Sequence, residues 1–232
     1  MRRKMKLETG FRFRQPVVDY RSFRLSRIHE PQFAHLKLLA GWAVYFALFF
    51  LTENLIPPEA CHVVHCRLDD LIPFCEWFLI PYFGWYVLIV VSLVWFGLYD
   101  IDSFKRLSVY IMITQAVAMV AYIFWPSIQL LRPEVFPRQN LLTETIGLLY
   151  AFDTNTGVCP SLHVAYSVGI ASTWLKKRDA SVWTKSFVVI FVVLVILSTM
   201  FIKQHSAMDA LAAIPVCMLA EWVVFRDWWK EH

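Results

Sequence analysis

Apolar residues run along this chain in blocks rather than in alternation. Six runs, 36–51, 82–99, 107–125, 162–175, 187–202 and 207–225, are predominantly apolar and approach spanning length. A helix needs about 20 such residues to cross a hydrocarbon core of about 30 Å, so the first, fourth and fifth runs must borrow flanking residues. The pattern predicts an all-α, polytopic membrane protein built as a bundle of six transmembrane helices. The last two runs are almost continuous, since 187–225 is 39 residues, or about 58 Å of helix. One straight helix of that length does not fit, and the chain must reverse. Its only polar break is Lys203-Gln204-His205-Ser206, so His205 is expected at a membrane surface.

Composition agrees: 58% of the residues are hydrophobic, only 17% are charged, and the mean hydropathy is +0.52, against about 25% charge in soluble domains. Charge then sets the orientation. Six spans put both termini on one side, and that side carries 18 of the 22 Lys and Arg. By the positive-inside rule it is cytoplasmic, which leaves His163 and His205 facing outward, with the plasma membrane as the expected location. The expected organisation is a basic cytoplasmic arm over 1–35, a six-span catalytic domain over 36–226 and a short cytoplasmic tail over 227–232. The arm carries Phe11, Phe13, Tyr20 and Phe23. It lacks the apolar core and cleavage site of a signal peptide, so the first span reads as an uncleaved anchor. Outside the spans, 68–78 reads as an interfacial helix, 100–106 as a connecting loop and 140–150 as a short amphipathic helix. That last helix falls in an outer segment, 126–161, too long for a mere connector.

Ionisable groups at membrane depth are functional candidates by default, and here they converge. The fourth span begins outside at Ser161 and His163, and the sixth begins outside near Ser206 and Asp209. Two helix N-termini, each with partial positive charge, thus point at one surface, a natural place for an anion. Arg132 in the outer loop offers a planar fork for phosphate oxygens. Two His, one Asp and one Arg beside two helix N-termini indicate phosphoryl chemistry. Each residue alone has a plainer role: Ser161 and Asp209 as helix caps, His205 as a polar turn residue, Arg132 as a loop residue. Their conjunction carries the chemical reading.

These residues also carry a resemblance. Pro160-Ser161-Leu162-His163 is similar to the Pro-Ser-Gly-His motif of the type 2 phosphatidic acid phosphatase superfamily. Ser198, His205 and Asp209 match that family's third motif in spacing, and Arg132-Pro133 resembles the end of its first. The pattern departs at two positions. Trp125 stands where the first motif has Lys, and Thr199 where the third has Arg; Lys203 is a candidate replacement for one lost charge. The same losses resemble the lipid phosphotransferase branch, which includes sphingomyelin and inositol phosphorylceramide synthases.

The resemblance implies a metal- and cofactor-independent enzyme acting on a lipid phosphate. His205 would attack phosphorus to form a phosphohistidine, oriented by Asp209. His163 would protonate the leaving oxygen and then activate water or an alcohol. Arg132, Ser161, Ser198 and Lys203 would hold phosphate oxygens. Hydrolysis of a lipid phosphoester or diphosphate leads; headgroup phosphotransfer and a non-enzymatic lipid binder or transporter are the alternatives. A transporter would place charge or helix breaks at the midplane of its spans, whereas the ionisable groups here gather at one surface. The expected partners are the bilayer and a lipid substrate, with no nucleic acid.

Cys61-His62-Val63-Val64-His65-Cys66 packs four candidate metal ligands, two Cys and two His, into six residues, without the separated pairs of structural zinc sites. In an oxidising outer compartment Cys61, Cys66, Cys75 and Cys159 are disulfide candidates. The Trp residues near span ends fit an interfacial belt.

Overall fold

The structure, a computed structural model, describes residues 15–231. Residues 1–14 of the expected basic arm, including Phe11 and Phe13, lie outside them. A 3-10 segment, Ala34–Leu39, runs into α1 (Ala40–Leu55). Then come β1 (His62–Val63), α2 (Arg67–Leu71), α3 (Leu79–Tyr99) and α4 (Ile101–Phe124). Next are β2 (Ser127–Ile128), which pairs parallel with β1, and α5 (Leu141–Phe152). The chain ends in α6 (Leu162–Lys176), α7 (Val182–Phe201) and α8 (Ala207–Glu231). Five helices, α1 with its 3-10 start, α3, α4, α7 and α8, are long and apolar enough to cross a membrane. This is an all-α integral membrane protein.

The expected runs and the helices coincide, with differences at their ends. The connecting loop expected over 100–106 shrinks to one residue. Asp100 ends α3 and caps α4, accepting from the Ser103 backbone N–H at 3.1 Å and the Ser103 hydroxyl at 2.9 Å. A carboxylate acceptor at that position lets a new helix begin at once. The interfacial segment is two short pieces, α2 and a 3-10 turn at Glu76–Phe78, because Pro73 between them cannot continue a helix. The loop helix is α5, capped by Asn140, whose side chain accepts from Leu142 and Thr143.

α6 is short, about 22 Å at 1.5 Å per residue, yet it joins both ends of the bundle. Ser161 before its first turn donates its N–H to the Asp209 carbonyl at 3.1 Å. Lys177 after its last turn reaches Asp100. It is also the most enclosed helix, with nine buried residues among its 15, packed between α4, α7 and α8. Gly169 permits this, because a Cβ there would lie 2.5 Å from the Tyr110 ring of α4. By contrast α1 buries no residue. Val44, Phe46, Phe50, Leu51 and Leu55 on it are exposed. Such a face is a liability in water and ordinary in lipid.

Candidate active site

The site forms where α7 reverses into α8. The turn is a helix C-terminal motif: the Thr199 carbonyl accepts from both Gln204 N–H (2.8 Å) and His205 N–H (3.0 Å), and Lys203 adopts φ of 55°. Left-handed backbone is unfavourable for Lys, and its side chain is braced. Nζ donates to the carbonyls of Asp69 at 2.9 Å and Ile72 at 2.5 Å, at the end of α2. Gln129, fully buried, donates to the Lys203 carbonyl at 3.0 Å, and the Tyr150 hydroxyl donates to the Ile202 carbonyl at 2.6 Å. The reversal is therefore pinned from three directions.

His205 leaves this turn with its Nδ1 3.1 Å from Asp209 Oδ2, and His163 Nδ1 lies 3.2 Å from His205 Nε2. The partners assign the tautomers. A carboxylate accepts, so His205 carries its proton on Nδ1 and presents a lone pair at Nε2. His163 then donates from Nδ1, and its buried Nε2 has no partner. The His163 ring is held between Trp85 and Tyr82, at centroid distances of 4.2 and 4.8 Å. Asp209 is fully buried, and its Oδ2 also accepts the Ser206 N–H at 2.9 Å, so capping and orientation of His205 fall to one carboxylate.

A cavity of about 540 Å³ opens on the two histidines. Trp42, Tyr45, Phe46 and Phe49 of α1 form one wall, and Trp85, Tyr86 and Ile89 of α3 another. Its polar end was only partly foreseen. Asp153 and Gln204 lie there with His163 and His205, and Glu53 enters from α1. Asp153 Oδ2 accepts from Gln204 Nε2 at 3.0 Å and from the Tyr82 hydroxyl at 3.2 Å. Burial pushes the Asp153 carboxyl above its ordinary range, against the pull of His205 and Arg132. Glu53 accepts a short hydrogen bond from the Thr154 hydroxyl. The 153–158 segment is fixed by β2: Gln129 and Ser127 exchange backbone bonds with Asn155 and Gly157.

The expected phosphate ligands divide. Ser161 caps α6, its hydroxyl accepting from Val164 N–H at 3.4 Å, with no exposure of its own. Ser198 is fully buried and donates to the Val195 carbonyl of its own helix. Arg132 spends Nη1 on the Tyr150 carbonyl and Nη2 on the carbonyls of Asp153 and Thr154 and on Gln204 Oε1. It clamps the end of α5 and does not itself line the cavity, meeting it through Asp153, Thr154 and Gln204. Lys203 is turned to α2. The second helix N-terminus is also closed, since Asp69 Oδ1 accepts the Ala207 N–H at 2.7 Å and its Oδ2 accepts the Ser206 hydroxyl at 2.6 Å. Among the positions that depart from the motif pattern, Thr199 bonds back to Ile196 and Trp125 stacks on His62.

Asp69, Asp153, Glu53 and Gln204 were not singled out from the sequence. Asp153 and Glu53 carried one available signal, an acid next to a spanning segment. The five cysteines are free thiols, and no three His, Cys, Asp or Glu among the described residues form a metal-binding group.

A family model, described as PAP2 superfamily, matches residues 104–232, more than half of the chain, including both histidines and Asp209. No curated protein and no solved structure matches the chain.

Proposed function

The chain belongs to the PAP2 superfamily, and from that premise we propose that it is an integral membrane lipid phosphatase working through a phosphohistidine. One observation carries the reading: the His163–His205–Asp209 relay opens directly into an apolar cavity of about 540 Å³. In the proposed reaction the phosphate displaces the hydrogen bond between the histidines. The His205 Nε2 lone pair forms the bond to phosphorus as the ester P–O bond breaks. The negative charge of the bound phosphate holds His163 as its imidazolium, which gives its Nδ1 proton to the leaving oxygen and is left as neutral imidazole. Asp209 holds the Nδ1 proton and stabilises the charge that develops on the ring. Water then gives a proton back to His163 and attacks phosphorus, and the P–N bond breaks. The α1 packing supports a lipid substrate. α1 rests on α4, and its aromatic side faces the cavity across from α3, leaving an opening through which an acyl chain enters from the bilayer.

A second reading, headgroup phosphotransfer to an alcohol, is favoured by the charges at the cavity. Asp153 and Glu53 line it, while Arg132 and Lys203 are spent on carbonyls. A doubly charged phosphomonoester is disfavoured beside two carboxylates, and a singly charged phosphodiester less so.

Both readings are tested with the full chain in nanodiscs, by rapid quench with a panel of lipid phosphomonoesters, diphosphates and phosphodiesters. An acid-labile phosphoenzyme absent from His205→Ala is expected, with turnover nearly abolished in His163→Ala. Turnover by a folded His205→Ala protein would sink the nucleophile. If ceramide, diacylglycerol or inositol captures most of the phosphoryl group at concentrations far below that of water, phosphotransfer replaces hydrolysis. The outward orientation in the plasma membrane is part of the same proposal and is read by labelling of Arg138→Cys on intact cells.

A further inference from the structure

A second cavity, of about 330 Å³, lies at the end of the bundle away from the histidines, where the α3–α4 corner, the last turn of α6 and the end of α8 meet. Arg106, Lys176, Lys177 and Arg178 line it, against Asp100 and Asp179. Lys177 is spent, with Nζ 2.5 Å from Asp100 Oδ2 and 2.7 Å from Asp179 Oδ1. Lys176 donates to Ser172 Oγ at 2.7 Å and to Glu221, which leaves one of its three N–H groups. Its ammonium lies 4.6 Å from the Phe225 centroid and 4.9 Å from that of Trp228. The Arg106 guanidinium sits over the other reach of Phe225, at 5.7 Å, and forms no ion pair with another described residue.

We propose that this cavity binds the headgroup of an anionic phospholipid, a singly charged phosphodiester. The charge balance leads there. Asp100 and Asp179 neutralise Lys177 and Glu221 neutralises Lys176, so the Arg106 charge, which forms no ion pair with another described residue, is left uncompensated. A phosphodiester monoanion neutralises it. Arg106 supplies the planar fork that matches two phosphate oxygens, and Lys176 supplies its remaining N–H. The position suits a lipid rather than a free ion. Trp228 and Trp229 mark the level of the headgroups, and Met218 and Trp222, exposed on α8, continue from the cavity along the path of the acyl chains. The basic excess on this side is the arrangement that recognises acidic lipids at an inner leaflet. A zwitterionic headgroup would bring its ammonium against Arg106 and gain nothing. The site does not depend on the reaction at the histidines, because none of its residues lines that cavity.

The test uses the full chain in detergent, titrated with phosphatidylglycerol or phosphatidylcholine. Retained lipid is counted by native mass spectrometry, and the unfolding temperature is followed by tryptophan fluorescence. One phosphatidylglycerol per chain is expected, with stabilisation that phosphatidylcholine does not give. Arg106→Gln should weaken binding about tenfold or more. Arg106→Lys, which keeps the charge and the fold but loses the fork, should weaken it less, and Arg67→Gln, at an exposed site on α2, should leave it unchanged. Inorganic phosphate and glycerol phosphate form separate arms. Stabilisation by either that equals that by the lipid would make this a soluble-anion site and overturn the proposal. Equal retention of phosphatidylcholine would overturn it too, as would unchanged affinity in Arg106→Gln or, where that variant does not fold, in Arg106→Lys.

Discussion

Replacing Asp69 with Asn should damage the active site from outside it. Asp69 is 3% exposed and accepts three hydrogen bonds: Cys66 N–H at 2.8 Å, the Ser206 hydroxyl at 2.6 Å and Ala207 N–H at 2.7 Å. Two of these hold the first turn of α8, directly after His205. Asn keeps one acceptor oxygen and presents an NH₂ on the other side. Whichever way it turns, at least one donor loses its acceptor and the rest lose charge assistance. At about 1.5–3 kcal/mol for a hydrogen bond to a charged group, the net loss is roughly 3 kcal/mol. That corresponds to roughly 6–12 °C in melting temperature for a chain of this length. A shift of His205 by a fraction of an ångström should add a loss of roughly tenfold or more in kcat.

The pH dependence has a definite sign. Burial raises the Asp69 carboxyl, but the bonds from Ser206, Ala207 and Cys66 outweigh it and hold the group below its ordinary value. Its stabilisation is therefore complete above the unfolded value, about 3.9, and is lost as pH falls through the folded one. Melting curves of the wild type and Asp69→Asn should differ fully at neutral pH and converge only below about pH 4. A variant that melts within a degree or so of the wild type at pH 7, or keeps full turnover, refutes the argument.

Asp209→Asn keeps an acceptor for Ser206 N–H but loses the charge facing His205. It should cost roughly 10²-fold or more in kcat with little change in melting temperature; full activity would reduce Asp209 to a cap. Asp153→Asn should lower KM for a phosphomonoester several-fold, on the order of a kcal/mol of relieved repulsion, and a rise in KM would contradict the charge argument. Because burial raises the folded pKa of Asp153, its protonated form favours folding. Wild-type stability should decline as pH rises from the ordinary carboxylate value to the raised one, and Asp153→Asn should lack that slope in melting curves. Arg132→Lys keeps the charge but cannot hold four acceptors. It should melt at a temperature lower by the equivalent of about 2 kcal/mol, and an unchanged melting temperature would return Arg132 to the role of a free phosphate ligand.

The helices were legible because lipid leaves the chain few choices: every backbone group must be satisfied inside a helix, and apolar length reports the span. The reversal at Lys203–Ser206 was legible from geometry alone, and the His pair because polar groups stand out against apolar surroundings. Side-chain direction was not legible. Lys203 is two residues from His205, yet its left-handed backbone turns it towards α2. Asp69 and Asp70 are chemically alike and adjacent. Asp69 folds back on Cys66 and reaches Ser206, 137 residues away, while Asp70 pairs with exposed His65. No local pattern separates the two. Arg132 and Lys203 both sit over helix C-terminal carbonyls, a favourable place for any cation, and sequence spacing does not distinguish that role from phosphate binding.

On the proposed reading, the consequence is a phosphate site with little positive charge of its own. Asp69 and Asp209 occupy the α8 N-terminus, which leaves the α6 N-terminus and the histidines themselves to attract an anion, beside Asp153 and Glu53. Binding energy must then come from elsewhere, and the cavity offers apolar contact to Trp42, Phe46, Phe49, Trp85 and Ile89. Burial of each methylene contributes about 0.8 kcal/mol, or roughly fourfold in affinity. If part of that energy is used to seat phosphorus against His205 Nε2, shortening the chain lowers kcat as well as raising KM. A series of soluble substrates differing by two methylenes, assayed below saturation, should lose roughly tenfold or more in kcat/KM per step until the chain no longer reaches α1. Phe46→Ala and Phe49→Ala should flatten the series while leaving the shortest substrate unaffected. A headgroup with no chain that is turned over as fast as the full lipid would show that the charges near the histidines suffice, and the assignment of Arg132 and Lys203 to carbonyls would be wrong for the working enzyme.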